Sequence, residues 1–365
     1  MSVSDLKSNE INDFIVFNID RHRSDIAKVI SEKFSISRVA AVNRLRGLIE
    51  RGILTASGNT KARVYSLKPL SENRVVLEIG KITEDDVWQK EIKPHLEGVH
   101  PNILEICAHG STEMFNNVID HSESTTARVF VRRDASTITI DITDYGVGIF
   151  NKIQKALQLS DPRQSILELT KGKLTTDKTR HTGEGIFFTS RMFDLFVIQS
   201  ETLAFTRNRI SNDWLLEVDG APIHGTRIGM QIATNASQTL KEVFDTYRAE
   251  YDEFGFSKTL IPLILLKYEG EQLISRSQAK RLMARVDKFQ EVMLDFKGIT
   301  SIGQAFADEV FRIYRRDHQN VHVYPINMNK DVANMALRAI AENNDDELKK
   351  YLEEYLEKPI AMESI

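Results

Sequence analysis

Cysteine is almost absent from this sequence: Cys107 is the single one in 365 residues. That excludes an internal disulfide and any cysteine-based zinc finger, and it suits a reducing compartment. The residue lies in the apolar pattern Ile103-Leu104-Glu105-Ile106-Cys107 and reads as core, not as a nucleophile. Long apolar runs are missing too; nothing approaches the roughly 18 residues of a membrane-crossing helix. The opening Met1-Ser-Val-Ser-Asp-Leu-Lys lacks the apolar stretch of a signal peptide. A soluble, cytoplasmic protein with no membrane partner is expected. There is no internal repeat, no low-complexity tract and little excess charge, the net being −4, so nothing biases the whole chain toward nucleic acid. What remains is ordinary globular material. An apolar fraction of 41% supplies packed cores, and the length implies two or three domains.

The informative stretch runs from Glu113 to Gly185. Glu113-Met-Phe-Asn-Asn117 has a helical pattern that puts Glu113 and Asn117 on one face, one turn apart. A carboxylate and a carboxamide so placed can hold a metal with its waters, or position an attacking water. A strand follows, Thr137-Ile-Thr-Ile-Asp-Ile-Thr143, and ends in Asp144-Tyr-Gly146-Val-Gly148. Glycines there let a backbone approach a flat ligand closely. After a polar segment, Gly183-Glu-Gly185 opens an apolar helix, and N–H groups at such a start bind phosphate.

Each piece is common alone; their order and context are not. Together they resemble the ATP-binding fold shared by gyrase, the ninety-kilodalton heat-shock chaperone, histidine kinases and the mismatch-repair protein MutL, the GHKL superfamily. Glu113 to Asn117 looks like its N box, Asp144 to Gly148 its first glycine box, and Gly183 to Gly185 its second. Gly225-Thr226 looks like its late Gly-Thr strand, and the likeness covers roughly residues 95–235. The resemblance implies ATP and Mg²⁺ as ligands. Asn117 would hold Mg²⁺, Glu113 would be the general base and Asp144 would accept from the adenine amine. Gly146, Gly148, Gly183, Gly185 and Thr226 would shape the nucleotide site. Residues 150–182 are expected as a mobile lid, with Lys171, Lys173, Lys178 and Arg180 as phosphate contacts. His121 is a further, more structural, candidate. The histidines His95, His100 and His109 lack the context of a phospho-accepting residue, which argues against a two-component kinase.

Residues 1–70 carry 12 Lys or Arg against 7 Asp or Glu, a basic segment in an acidic chain. Helices are expected from Ile11, from the N-cap Ser24 and from Arg38, the last closed by Gly52, followed by two short strands around Ser57-Gly58-Asn59. Three helices and a hairpin resemble a winged helix-turn-helix. That likeness places Ser37, Arg38, Asn43 and Arg44 in the major groove, with Arg46, Lys61 and Arg63 at the phosphates or minor groove of double-stranded DNA. Residues 71–110 read as a connector containing the strand Arg74–Gly80.

Beyond residue 236, strands and helices alternate as in a small α/β domain. Met293-Leu-Asp295 through Phe306-Ala-Asp308-Glu resembles the STAS domains of anti-anti-sigma factors. In the phosphorylated members a serine follows an aspartate at the helix start; here Gly303 and Gln304 hold those places, and Ser301 is out of register. A docking role for a protein partner is therefore expected, not control by phosphorylation.

The expected fold is multi-domain α+β. A winged helix-turn-helix (1–70) and a connector (71–110) precede a Bergerat-type α/β sandwich ATP-binding domain (111–235). A STAS-like domain (236–345) and a charged surface tail (346–365) follow. The function this implies is a DNA-binding transcriptional regulator, a homodimer by analogy, whose domain arrangement ATP switches and slow hydrolysis resets. The alternative is an anti-sigma-type serine or threonine kinase acting on a separate protein.

Overall fold

The computed structural model describes residues 3–59, 62–174, 183–211, 213–217, 222–248, 256–267, 272–341 and 346–357. Three helices, α1 (Val3–Asn18), α2 (Ile26–Phe34) and α3 (Arg38–Glu50), lead into an antiparallel hairpin of β1 (Leu54–Ser57) and β2 (Val64–Leu67). They close around a core of their own, centred on Ile15, Ile19, Ile30, Leu45 and Leu48. The second helix starts at Ile26 with Asp25 in the cap position, and neither Asp25 nor Ser24 makes the expected side-chain cap. Gly52 takes a φ of 71° and ends α3 as expected.

The sequence then enters a sheet at once. Lys68, Pro69 and Leu70 are all that separate β2 from β3 (Ser71–Glu78). Lys68 N–H donates to Ile53 O at 2.9 Å, Leu70 N–H donates to Arg133 O at 2.8 Å, and Ala135 packs against the core of the head. β3 pairs along its whole length with β4 (Thr126–Arg133). Residues 71–110 are thus no connector. They supply an edge strand, then α4 (Glu84–Asp86) running into a π-helix (Val87–Ile92), and the first half of α5 (Pro101–His121). The expected division between residues 110 and 111 falls inside α5, whose first-turn proline suits a helix start.

Seven strands form one antiparallel sheet in the order β3-β4-β5-β9-β6-β7-β8, with β5 (Thr137–Asp144), β6 (Leu195–Glu201), β7 (Leu203–Asn208), β8 (Asp213–Glu217) and β9 (Ile223–Ala233). Burial alternates along β4, β5 and β6, so one face is apolar and carries the helices. Those helices are α5, α6 (Ile149–Leu157), α7 (Gln164–Lys171) and α8 (Gly185–Met192).

After α9 (Leu240–Thr246) comes a second, parallel sheet of β10 (Lys258–Pro262), β11 (Glu291–Asp295) and β12 (His322–Ile326). Its helices are α10 (Arg276–Met283), then α11 (Gln304–Ala307) continued by a π-helix (Asp308–Tyr314) and α12 (Arg315–Asp317), and finally α13 (Lys330–Ile340) and α14 (Asp346–Glu357). Over residues 346–357 the expected surface tail is instead a helix packed into the core. Leu348, Leu352 and Tyr355 of α14 are buried, and the Tyr355 hydroxyl accepts from Met328 N–H at 2.8 Å. Both sheets share one continuous apolar core, separate from that of the head.

Candidate functional site

The site forms where β5 stops. Asp144, its last residue, is buried, and its Oδ1 accepts the N–H of Gly146 at 2.9 Å and of Thr226 at 3.3 Å. Thr226 lies directly opposite on β9, and its Oγ1 accepts the N–H of Ile149 at 3.0 Å, tying the first turn of α6 to the sheet. Burial raises the pKa of Asp144, opposed by the N–H groups of Gly146 and Thr226 and the Thr226 hydroxyl. A carboxylate held only by neutral donors keeps acceptor capacity for an N–H group brought by a ligand.

Gly148 caps α6 with a φ of 76°, a conformation costly for other residues. Across the cleft, α5 buries Phe115 and presents Glu113 and Asn117 one turn apart. Gly185, at the start of α8, comes so close that an added Cβ would stand 2.3 Å from Glu113 Oε2. A side chain there would push the Glu113 carboxylate aside, so glycine keeps that helix start against it. Gly183 is pressed against the backbone of Leu174 in the same way, and Gly146 turns against Ser122 O outside the cleft lining.

Glu113, Asn117, Asp144, Gly148, Gly183, Gly185 and Thr226 therefore line one cleft of about 1020 Å³, part of it open to solvent. Its walls are apolar, built from Met114, Val118, Ile142, Ile153, Leu169 and Ile228. Such a chamber, greasy with a few convergent polar groups, suits a flat heteroaromatic ligand bearing a charged tail. Lys152 also lines it, its Nζ donating to His121 O at 2.7 Å and to Glu123 at 3.0 Å. Sequence reasoning missed Lys152, although it lies one turn beyond the N-cap Gly148 and so faces the same space.

The expected lid and phosphate lysines fare differently. Within 150–174 the structure has two packed helices, with Phe150, Ile153, Ile166 and Leu167 buried, not a loose lid. Lys171 is buried against Glu168, with burial lowering its pKa, and Lys173 donates to Lys288 O at 3.0 Å. Neither faces the cleft. Lys178 and Arg180 lie outside the described residues.

On the head, Ser37 Oγ accepts the N–H of Ala40 at 3.1 Å, so this hydroxyl serves as the cap of α3. Arg38, Asn43 and Arg46 are exposed on α3 and Arg44 is half-buried. Val39, 71% exposed among them, was not anticipated. Arg63 is exposed, its guanidinium 5.5 Å from the Tyr65 ring centroid; Lys61 lies outside the described residues. Of the histidines, His95 bonds Ser71 Oγ at 2.7 Å, His100 occupies the cap position of α5, and His109 is held neutral by burial against Phe244.

Among the described residues no cluster of three or more His, Cys, Asp or Glu could hold a metal ion, and no helix is long and apolar enough to cross a membrane. The family model of a STAS-like domain of unknown function matches residues 278–333, from within α10 to the start of α13. No curated protein matches the chain. The C-terminal region is thus STAS-like, with Gly303 as the N-cap of α11 and Gln304 as its first residue.

Proposed function

We propose that this protein is an ATP-binding, slowly ATP-hydrolysing regulator of the GHKL type that binds DNA through a winged helix-turn-helix head. The observation that carries the reading is the convergence of Glu113, Asn117, Asp144, Gly148, Gly185 and Thr226, from four separate stretches of sequence, on one cleft. Asp144 would accept the adenine amine at the closed end, and the apolar walls would flank the base. The N–H groups at the start of α8 would meet the phosphates. Asn117 would hold Mg²⁺, which draws most of its other ligands from phosphate and water and so requires no carboxylate cluster. Glu113, beside Gly185, would take the proton of a water attacking the terminal phosphorus. The new P–O bond forms as the bond to the departing ADP oxygen breaks.

The exposed row Val39, Asn43 and Arg46 on α3, flanked by Arg38, supports insertion of that helix into the major groove. A symmetric, cytoplasmic homodimer on paired half-sites completes the proposal. In the STAS-like region the helix start offers Gly303 and Gln304, with no hydroxyl to accept phosphate. A docking role suits it better than control by phosphorylation; the kinase alternative, whose substrate is a separate protein, predicts phosphate on that partner.

Nucleotide binding and turnover with Mg²⁺ test the reading. The wild-type protein should bind and slowly hydrolyse ATP, Glu113→Ala should bind without turnover, and Asn117→Ala should lose Mg²⁺-dependent affinity. A wild-type protein that binds no nucleotide would sink it.

A further inference from the structure

The nucleotide cleft has two walls that belong to the sheet and one that does not stand alone. Leu169 and Leu174 reach the cleft from α7 and the turn after it, and Gly185 and Ile186 reach it from α8. Both helices are gripped from behind by the C-terminal module. Lys171, 2% exposed, donates from Nζ to Arg281 O at 3.0 Å and to Ala284 O at 2.9 Å, capping the end of α10. The Thr259 hydroxyl of β10 donates back to Lys171 O at 2.6 Å. Glu168, which neutralises Lys171, also receives Arg285 at 2.6 Å. Lys173 and Lys288 exchange bonds with each other's carbonyls at 3.0 and 3.2 Å.

The second helix is held as firmly. Arg191 of α8, buried, donates to Thr170 O of α7 at 3.4 Å and to Leu260 O of β10 at 3.3 Å. Phe187 of α8 meets Phe256, just before β10, at a centroid distance of 4.4 Å, and Phe256 meets Phe289 at 5.2 Å. One clamp therefore fixes α7 to α8, both to the β10 strand, and α7 to the end of α10, with Lys171 and Phe187 within two residues of the cleft lining. Packed interiors transmit such displacement instead of absorbing it.

We infer that the STAS-like module acts in cis as the positioning element of the nucleotide cleft, with Lys171 and Thr259 as positioning residues. This rests on the nucleotide reading given above. The clamp sets where Leu169 and Gly185 stand, so loosening it weakens nucleotide binding. By reciprocity, a bound nucleotide stiffens α10 and its surroundings. A protein docking on the module would then change nucleotide affinity without touching the cleft.

The test uses the full chain, a fluorescent ATP analogue with Mg²⁺, and amide exchange with and without nucleotide. Thr259→Val removes one bond at nearly constant volume; Lys171→Met removes the charge and three more, to Glu168, Arg281 O and Ala284 O. Each should weaken nucleotide affinity by about threefold to tenfold, the effect of one or two hydrogen bonds. Bound nucleotide should slow exchange across Arg276–Met283 in the wild type and do so less in the variants. Tyr351→Phe is the control, because it loses a 2.8 Å bond to Pro325 O in the same module but away from the clamp. It should keep wild-type affinity. Thr259→Val within twofold of wild type, or Tyr351→Phe weakened equally, overturns the inference while leaving the site intact. If the wild type binds no nucleotide, the site assignment itself falls and takes the inference with it.

Discussion

Asp144 shows what the cleft costs the fold. It is a buried carboxylate kept in place by neutral donors, and its pKa is raised by that burial. A folded-state pKa above the unfolded one means the group favours folding below its unfolded pKa, and that advantage fades as pH rises through the folded pKa. At neutral pH the ionised group is therefore a burden on the free protein. Asp144→Asn keeps the Oδ1 acceptor for Gly146 and Thr226 and removes the charge. Its melting temperature should exceed the wild type's near pH 7, and the gap should close as pH falls below the ordinary aspartate range. The same variant should lose nucleotide binding, since the amide exchanges acceptor capacity for a donor. A variant no more stable at pH 7, or one that binds normally, would contradict this account. That Glu113 and Asn117 share a helix face, and that Asp144 and Gly148 share a turn, was legible in the sequence because local spacing sets it; both pairs line the one cleft. Lys152 carried the same kind of signal, one turn beyond Gly148, but its bonds to His121 O and Glu123 come from segments some thirty residues earlier and show only in the fold.

At the scale of elements, sequence was a good guide where an element's own pattern decides its fate. Helix α3 shows this, with Ser37 at its cap and Gly52 at its end. It failed where tertiary pairing decides. Residues 71–110 read as a connector even though Arg74–Gly80 was expected as a strand; its full-length pairing with β4, some fifty residues further on, is what no local pattern announces. Helix α7 read as a polar lid because Glu168, Thr170 and Lys171 look like surface residues; Glu168 and Lys171 are buried because the module behind them satisfies them, and Thr170 because its hydroxyl donates to Leu167 O in its own helix. Helix α14 read as a charged tail, though Leu348, Leu352 and Tyr355 form an apolar stripe at helical spacing. The α3 assignment makes its own prediction. Arg46→Ala should weaken DNA binding similarly across sequences and lower the salt dependence by about one phosphate contact, whereas Arg38→Ala should also narrow the preference between sequences. Titration of duplex DNA at several salt concentrations measures both. If neither slope nor affinity moves, the head contacts something other than DNA.

At the scale of the whole molecule, two cores imply two cooperative units. Leu352→Ala empties part of the larger one and should destabilise it by about 2–5 kcal/mol, the cost of truncating a buried leucine. Urea unfolding followed by circular dichroism should show that transition shift while the head's own transition stays put. A single transition moving as one would mean the head has no independent stability.

The three residues joining head to sheet bear on how DNA could be measured. A head on a supple tether would roam and accept half-sites at many separations. Here Lys68 and Leu70 are bonded on either side of Pro69, to the head and to the sheet respectively, so on the proposed reading the joint between α3 and the cleft is short and tied at both ends. In a symmetric pair the distance between the two α3 helices then becomes a dimension of the protein, as in a pair of callipers. Operators would be sorted by spacing as well as by letter. Shifting one half-site by about five base pairs, half a turn of the duplex, would carry it to the far face, beyond the reach of the second head.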